Sequence, residues 1–287
     1  DEENFTILER IVKSLFWIVG GYKLYVAGSK YIAEELQKAY CKGGTREFDY
    51  DFMSGVYEQP VTILLVKKEE LPTPNYESVS FNNDLKGCRI GFDAGGSDRK
   101  VSAVVDGEVL YSEETVWYPK TTADPEYHYQ GILESMKKAA SYMPRVDAIG
   151  VSSAGIYVDN QVRVASLFLK VNKKDFERRV KTMYIDVAKE FGDVPLVVAN
   201  DGDVTALAGA MELNDNQVLG IAMGTSEAVG YVDETGQLKG WLNELAFVPV
   251  DKHKDAMIDE WSLDYGCGVK YFSQDAVIKL AKPAGIE

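Results

Sequence analysis

The sequence has few cysteines, and no two of them are close together. Its 287 residues include only three, Cys41, Cys88 and Cys267. They are too few and too scattered for a disulfide framework, and no C-x-x-C pair is present to bind zinc. We therefore expect each cysteine to be a small buried apolar residue rather than a reactive group.

Positive charge and long apolar runs are scarce as well. The chain has 31 Lys and Arg against 45 Asp and Glu, a net charge of -14, and no basic cluster interrupts this acidity. Such a chain would repel a polyanion, so we expect no nucleic-acid partner. The longest apolar runs, such as SLFWIVGGY, are far shorter than the roughly 20 residues that cross a bilayer, and no signal peptide is evident. We expect a cytoplasmic protein without a membrane partner.

The remaining composition is that of an ordinary globular protein. With 46% hydrophobic and 26% charged residues, the chain is long enough for two domains or more. Residues 1–86 read as helix, strand, helix and strand, and they end in the polar stretch KKEELPTPNYESVSFNNDLKG, which has the composition of a linker. The predicted domains are 1–86, an α/β segment with its linker, then 87–192 and 193–287.

After the linker the pattern predicts an α/β fold. Strands are expected at 88–93, about 101–105 and 108–116, with Asp98-Arg99 and Asp106-Gly107 at the two reversals. A helix and the strand VDAIGVSSAG follow, which gives the order β-β-β-α-β. A second block contains a helix at 173–191, the strand PLVVAN, a helix at 203–213 and another strand pair joined by a glycine-bearing turn.

Two glycine-rich bends stand out. The stretch IGFDAGGSDRK contains Gly95, Gly96 and Ser97, and the second bend contains Gly224, Thr225 and Ser226. Backbone N–H groups in such bends form concave anion sites, and Asp93 could hold Mg²⁺ through water. Either bend alone is most often a structural turn, but the pair with an Asn-Asp between them is typical of a nucleotide clamp.

Asn200 and Asp201 end the strand PLVVAN and precede a helix. One interpretation is that Asp201 or Asp203 caps that helix. The other is that Asp201 is a general base, because ligand-contacting groups follow the carboxyl ends of strands in open α/β sheets. The spacing alone favours neither.

Five stretches, in this order, resemble the motifs of the ROK family of repressors and sugar kinases within the actin-like ATPase superfamily. They are IGFDAGGSDRK, AIGVSSAGIY, VVANDGDVTALAGA, IAMGTSEAVGYVDETGQLKG and YGCGVKYFSQDAV. The resemblance implies actin-like, ribonuclease H-like domains in the order β-β-β-α-β-α. It also implies an ATP-dependent carbohydrate kinase that uses Mg²⁺, takes a small sugar and forms a homodimer.

The resemblance assigns roles residue by residue. Asp201 would be the general base, and Asn200 and Glu244 would hold sugar hydroxyls. Asp93 would be the carboxylate linked to Mg²⁺ through water. The residues facing the nucleotide phosphates would be Gly95, Gly96, Ser97, Lys100, Gly224, Thr225 and Ser226.

The chain departs from the family pattern at several positions. Phe247 stands where a zinc-binding histidine is common, and Cys267 is alone, so no zinc is expected. Ser97 replaces a usual Thr, and Ser226 replaces a usual Gly. The family chain continues beyond the last residues here, so we expect a fragment.

Two alternatives to the kinase are open. A non-catalytic ROK-type sugar or nucleotide sensor would keep the fold and the ligand but not the transfer of phosphate. The stretch GVSSAG is close to a hydrolase nucleophile elbow, with Ser152, Asp201 and His253 in triad order, but the residues after it alternate like strand and turn rather than helix.

Overall fold

The computed structural model describes residues 2–74, 78–79, 85–224, 226–253, 255–281 and 283–286. The chain divides into two compact units: unit 1 contains Asp1–Val79 and Thr205–Glu287, and unit 2 contains Ser80–Val204. The predicted boundary after residue 192 falls inside unit 2. The division into three functional domains stays a prediction.

The N-terminal part of unit 1 is a small α/β arrangement. It contains helix α1 (Glu2–Ile18), strand β1 (Lys23–Ala27), helix α2 (Lys30–Ala39), helix α3 (Glu47–Tyr57), strand β2 (Thr62–Val66) and strand β3 (Ser78–Val79). Strands β1 and β2 pair in parallel. The predicted helix, strand, helix and strand are confirmed, whereas α3 has no counterpart among the predicted elements.

Aromatic residues form the core of this part. Trp17 has no exposed surface, and its ring centroid lies 4.4 Å from that of Phe247 and 4.8 Å from that of Phe52. Its indole Nε1 donates a hydrogen bond of 2.5 Å to Asp49 Oδ1. Trp17 and the buried Tyr40 therefore belong to the core.

A group of buried ion pairs lies in the same unit. Lys13 Nζ is 2.6 Å from Asp264 Oδ2 and 3.7 Å from Asp49 Oδ1, and the lysine has no exposed surface. Arg46 Nη1 lies 2.8 Å from Asp264 Oδ2, and its guanidinium also pairs with Glu9. Because a buried charge is costly without a partner, these contacts fix α1 and the start of α3 against the segment that carries Asp264.

Unit 2 is built around a mixed five-stranded sheet. Its elements are strands β4 (Cys88–Ala94), β5 (Asp98–Val105) and β6 (Glu108–Val116), helix α4 (Pro125–Ala140), strands β7 (Ala148–Ser153), β8 (Ile156–Val158) and β9 (Gln161–Val164), helices α5 (Lys173–Asp175) and α6 (Met183–Lys189), and strand β10 (Leu196–Asn200). The sheet order is β10-β7-β4-β5-β6, in which β4, β7 and β10 are parallel and β5 and β6 are antiparallel. The predicted α/β fold is confirmed, and along the chain the elements from β4 to β7 follow one another as three strands, a helix and a strand.

The predicted boundaries need two corrections in this unit. Strand β5 begins at Asp98 rather than near residue 101, and Ala94 pairs with Arg99, so Asp98 and Arg99 lie in the strand and not at the reversal. The predicted helix at 173–191 is interrupted by a π-helical turn at Phe176–Val180. The second reversal is as predicted, because Asp106 and Gly107 both adopt the positive φ of a tight hairpin turn.

The remaining elements are helix α7 (Asp201–Leu213), whose first residues belong to unit 2, strands β11 (Val218–Met223), β12 (Glu227–Val232) and β13 (Leu238–Lys239), and helix α8 (Gln274–Ala281). They add to unit 1 an antiparallel sheet of order β11-β12-β13-β3. A Cβ on Gly220 would lie 2.7 Å from Ala206 Cα, so this glycine lets α7 pack closely on β11.

The predicted linker is only partly described. Ser78–Val79 lie in it and form β3, which pairs with β13, while residues 75–77 and 80–84 are outside the described part of the chain. Within the residues that are described, no helix is both long and apolar enough to span a membrane.

Candidate functional site

The turn between β4 and β5 is held close to its neighbours. A Cβ on Gly95 would lie 2.6 Å from the backbone oxygen of Asp98, so no larger residue fits there without displacing the turn. Gly95 O accepts a hydrogen bond of 2.8 Å from Trp117 Nε1, and Ser97 O accepts one of 3.1 Å from Trp117 N. Since Trp117 is 1% exposed, the turn is anchored to the core of unit 2.

Charged side chains surround this turn. Lys100 is opposite Asp93 in the β4–β5 pair, with its Nζ 4.0 Å from Asp93 Oδ2 and 3.1 Å from Asp98 Oδ1. Ser97 Oγ donates to Asp98 Oδ2 at 3.1 Å. The hydrogen bond from Lys100 lowers the pKa of Asp98. Asp98 was not among the predicted site residues.

Asn200 and Asp201 lie at the carboxyl edge of the same sheet. Asn200 is opposite Ser153, and Ser153 is opposite Ala94, which follows Asp93. Since neighbouring strands are about 4.8 Å apart, the backbones of β4 and β10 are roughly 10 Å apart at this edge. The predicted metal-linked carboxylate and the predicted base therefore lie at one edge of one sheet.

Asn200 caps helix α7. Its Oδ1 accepts a hydrogen bond of 2.7 Å from Gly202 N, and its Nδ2 donates one of 2.8 Å to Gly155 O. Asp201 Oδ1 also accepts from Gly202 N, at 3.1 Å. The cap is thus provided by Asn200 together with Asp201, and Asn200 has a structural role whether or not it also binds a sugar.

The pKa of Asp201 is raised. Burial is the main cause, and the negative charge of Asp93 raises it further, while the hydrogen bond from Gly202 N acts in the opposite direction. Asp93 and Asp201 therefore interact electrostatically.

The second glycine-bearing turn lies in unit 1, between β11 and β12. These strands are antiparallel from Val218 opposite Val232 to Met223 opposite Glu227, so the predicted hairpin is confirmed. Gly224 N donates to Ser226 O at 3.0 Å, and Gly224 O accepts from Gln274 N at 2.9 Å. Thr225 lies outside the described residues.

Glu244 also lies in unit 1. Its backbone N donates a hydrogen bond of 2.9 Å to Trp17 O, and a 3₁₀ turn, Leu245–Phe247, follows it. Phe247, at the position where the family pattern often has histidine, packs on Trp17 in the aromatic core.

Comparison with solved structures identifies the fold. A ROK family transcriptional regulator, described as a homolog of the E. coli MLC protein, is 19% identical over 70% of this chain and 50% of its own, with a TM-score of 0.55. A ROK hexokinase from Thermus thermophilus is 16% identical over 69% of this chain and 64% of its own, with a TM-score of 0.53. The chain has the ROK fold. The chain thus spans about half the length of that regulator and less than two thirds of that hexokinase. No family model matches the sequence, and no curated protein does.

The structure around Ser152 contradicts the hydrolase alternative. A nucleophile elbow needs a strand, a sharp turn and a helix, but β7, which contains Ser152, is followed by strand β8 at Ile156.

The chemistry of the donor set at this edge of the ROK fold fits Mg²⁺. Among the described residues no group of three or more His, Cys, Asp or Glu side chains could hold a metal ion. Mg²⁺ needs less, because it keeps several waters and binds through one or two carboxylates together with phosphate oxygens. Asp93 could supply such a carboxylate oxygen.

Two features of the structure were not predicted from the sequence. In unit 2, the hydroxyl of Ser153 lies within hydrogen-bond distance of Tyr157 and Tyr184, 2.7 and 3.2 Å away. In unit 1, Glu227 follows the second glycine-bearing turn and is 6% exposed, and burial raises its pKa to about 7. Its Oε2 has no hydrogen-bond partner among the described residues. Only the serine next to a glycine turn and the acidic residue in an apolar strand could have drawn attention to them.

Proposed function

We propose that the chain belongs to the ROK family and acts as an ATP-dependent carbohydrate kinase. The reaction would transfer the γ-phosphate of Mg·ATP to a sugar hydroxyl. The observation that carries this proposal is the placement of Asp93 and Asp201 at the carboxyl edge of the parallel strands β4, β7 and β10, where the two carboxyl groups interact electrostatically. The β4–β5 turn, which admits only glycine at position 95, lies beside Asp93.

Asp201 is the proposed general base. It is the first residue of α7, and its backbone position is fixed by the cap from Asn200. A carboxylate there can accept the proton of a sugar hydroxyl as that oxygen attacks the γ-phosphate. The raised pKa increases the basicity of this carboxylate.

Asp93 is proposed to hold Mg²⁺ through water, and the β4–β5 turn to bind phosphate. When bound, Mg²⁺ neutralises charge on the phosphates of ATP. The N–H groups of Gly95, Gly96 and Ser97 would donate to phosphate oxygens, with Lys100 as a nearby positive charge. Lys100 is already paired with Asp98 at 3.1 Å, so contact with a phosphate requires the ammonium to move or to be shared.

Several parts of the proposal lie outside unit 2. Glu244 is proposed to bind a sugar hydroxyl, and Gly224, Thr225 and Ser226 to bind phosphate. Their assignment rests on the resemblance of their motifs. The cytoplasmic location, the homodimer and the absence of a nucleic-acid partner also stay predictions.

A non-catalytic sugar or nucleotide sensor is the second candidate. The fold is shared with a ROK transcriptional regulator as well as with a ROK hexokinase, so the fold supports both functions. The hydrogen bonds of Asn200 to Gly155 and Gly202 bear on its proposed sugar contact in both candidates alike.

The experiment that tests the kinase is release of ADP from Mg·ATP by the purified protein across hexoses, amino sugars and sugar acids. We expect one sugar class to stimulate release, and Asp201→Asn to reduce kcat by about 10²- to 10⁴-fold with little change in sugar affinity. Asp203→Asn, on the same turn of α7, is the matched control. Sugar binding by calorimetry without any ADP release would instead support the sensor.

A further inference from the structure

The hydroxyl groups of two buried residues, Ser153 and Tyr184, and of the half-buried Tyr157 meet behind the carboxyl edge of unit 2. Tyr184 OH donates to Ser153 Oγ at 3.2 Å, and Tyr157 OH donates to the same oxygen at 2.7 Å. Tyr157 OH is also 3.3 Å from Ala154 O. Ser153 Oγ thus accepts from both tyrosines, and the three groups form one hydrogen-bonded hydroxyl chain beside Ala154.

This hydroxyl chain is shielded from water and stays uncharged. Ser153 is 0% exposed and Tyr184 is 1% exposed. Burial raises the pKa of Tyr184 to about 12 and that of Tyr157 well above its usual range. Both tyrosine hydroxyls therefore keep their protons at neutral pH, and the chain acts as a set of hydrogen bonds between uncharged groups.

The hydroxyl chain holds a turn that has no freedom to relax. Ala154 and Gly155 connect β7 to β8, and Gly155 has a φ of +136°, which favours glycine. A Cβ on Gly155 would lie 2.4 Å from Val164 O, so the turn is also pressed against β9. Because the turn is fixed on both sides, a side chain that hydrogen-bonds to its backbone is held in place as well.

Two asparagines connect this region to β10 and α7. Asn200 Nδ2 donates to Gly155 O at 2.8 Å, and Asn200 Oδ1 accepts from Gly202 N at 2.7 Å, next to Asp201. Asn160, at the tip of the β8–β9 hairpin, donates from Nδ2 to Leu196 O at 3.0 Å and accepts from Val198 N at 2.8 Å. The hairpin thus contacts β10 near both of its ends.

The geometry assigns Ser153, Tyr157 and Tyr184 as positioning residues for Asp201, acting through the Gly155 turn and Asn200. The role in catalysis rests on the proposed function, whereas the placement of the first turn of α7 does not. Loss of one hydroxyl should loosen the turn, weaken the bond from Asn200 to Gly155 and let water reach the start of α7.

The test compares Tyr184→Phe, Tyr157→Phe and Ser153→Ala by NMR. We expect the Gly202 amide to exchange with solvent about two- to tenfold faster, because one hydrogen bond of the support is lost. We also expect the pKa of Asp201 to fall toward its ordinary value as its carboxyl becomes more hydrated. Amides in the middle of β4, such as Phe92, should be unchanged. Tyr142→Phe is the matched control, since Tyr142 is 49% exposed and stacks on Tyr111.

A kinetic readout distinguishes the two proposals. If sugar-dependent ADP release occurs, the hydroxyl variants should lower kcat about tenfold with an unchanged KM for ATP. If no sugar stimulates release but Gly202 exchange and the Asp201 titration shift, the kinase is wrong and the positioning role stands. If Tyr184→Phe and Tyr157→Phe both fold and leave the exchange, the titration and kcat as in the parent, the positioning role is wrong. These phenylalanine variants keep the ring packing, so they test the inference even if Ser153→Ala fails to fold.

Discussion

Burial raises the pKa of Asp201, at the start of α7, and the negative charge of Asp93, near the end of β4, raises it further. The two residues are 108 positions apart in the sequence. In the sheet, β7 lies between β4, which contains Asp93, and β10, which ends just before Asp201. Two carboxylates that interact in this way form an electrostatic pair, so a change at one is felt at the other.

Removing the charge of Asp93 should lower the pKa of Asp201. The Asp93→Asn variant keeps the shape of the side chain, so burial of Asp201 is unchanged and only the repulsion is lost. The measurement is an NMR titration of the Asp201 carboxyl carbon. Glu113→Gln removes a carboxylate from β6 that pairs with Lys138, and it serves as the control. An Asp201 titration that is the same in Asp93→Asn and in the parent would contradict the coupling.

Substitution of Gly95 should destabilise the protein. In Gly95→Ala the new Cβ would lie 2.6 Å from Asp98 O, and this contact is with backbone, which cannot rotate away. We expect the free energy of unfolding to fall by about 1–3 kcal/mol. Gly150→Ala is the matched control, because a Cβ at Gly150 in β7 meets nothing within 4 Å. Urea denaturation checks both, and equal midpoints for the two variants would show that the turn has room.

The buried carboxyl of Glu227 should make stability depend on pH. Its pKa in the folded protein is about 7, raised from 4.5 by burial. The folded state therefore keeps a proton that the unfolded state has lost, and stability falls as the pH rises from about 4.5 to about 7. The shift corresponds to roughly 3 kcal/mol.

Glu227→Gln should remove this dependence and stabilise the protein above pH 7. Urea denaturation at pH 5 and pH 8 provides the comparison, with the exposed Glu212→Gln as control. If the free energy of unfolding differs between pH 5 and pH 8 by as much in Glu227→Gln as in the parent, Glu227 is not the titrating group.

Loss of Lys13 should be strongly destabilising. The side chain has no exposed surface and pairs with Asp264 at 2.6 Å, so Lys13→Met leaves a buried carboxylate with one positive partner fewer. We expect a loss of about 3–5 kcal/mol. Lys38→Met breaks a pair with Glu35 in which the lysine is 71% exposed, and such pairs contribute at most about 1 kcal/mol. Comparable losses in thermal unfolding of the two variants would argue against the buried pair.

Local signals predicted most of the strands and turns. Asp106-Gly107 specifies a hairpin by itself, since both residues adopt positive φ, and the alternation in Cys88–Ala94 is that of a strand with one buried face. Helix α3 was not predicted but could have been, because Phe48, Phe52 and Val56 recur at helical spacing. Strand β3 could not have been predicted, since two residues in a polar stretch become a strand only by pairing with β13.

The candidate site was predictable only where motifs carried it. Asp93 and Asp201 end strands in the sequence, so their shared edge follows from a parallel sheet. The contact of Ser153 with Tyr184 joins residues 31 positions apart. A Cβ on Gly268 would lie 2.6 Å from Glu227 Oε2, so that carboxyl is next to a residue far along the chain. Such contacts arise from tertiary packing, which no spacing rule contains.

The asparagine at the tip of the β8–β9 hairpin has a consequence for the behaviour of the protein in concentrated solution. β10 is the outermost strand of its sheet, and an open strand edge can pair with a strand from another molecule. Asn160 occupies Leu196 O and Val198 N on that edge with its own amide group. The hairpin therefore blocks part of the β10 edge against pairing with a strand of another molecule, which should reduce aggregation.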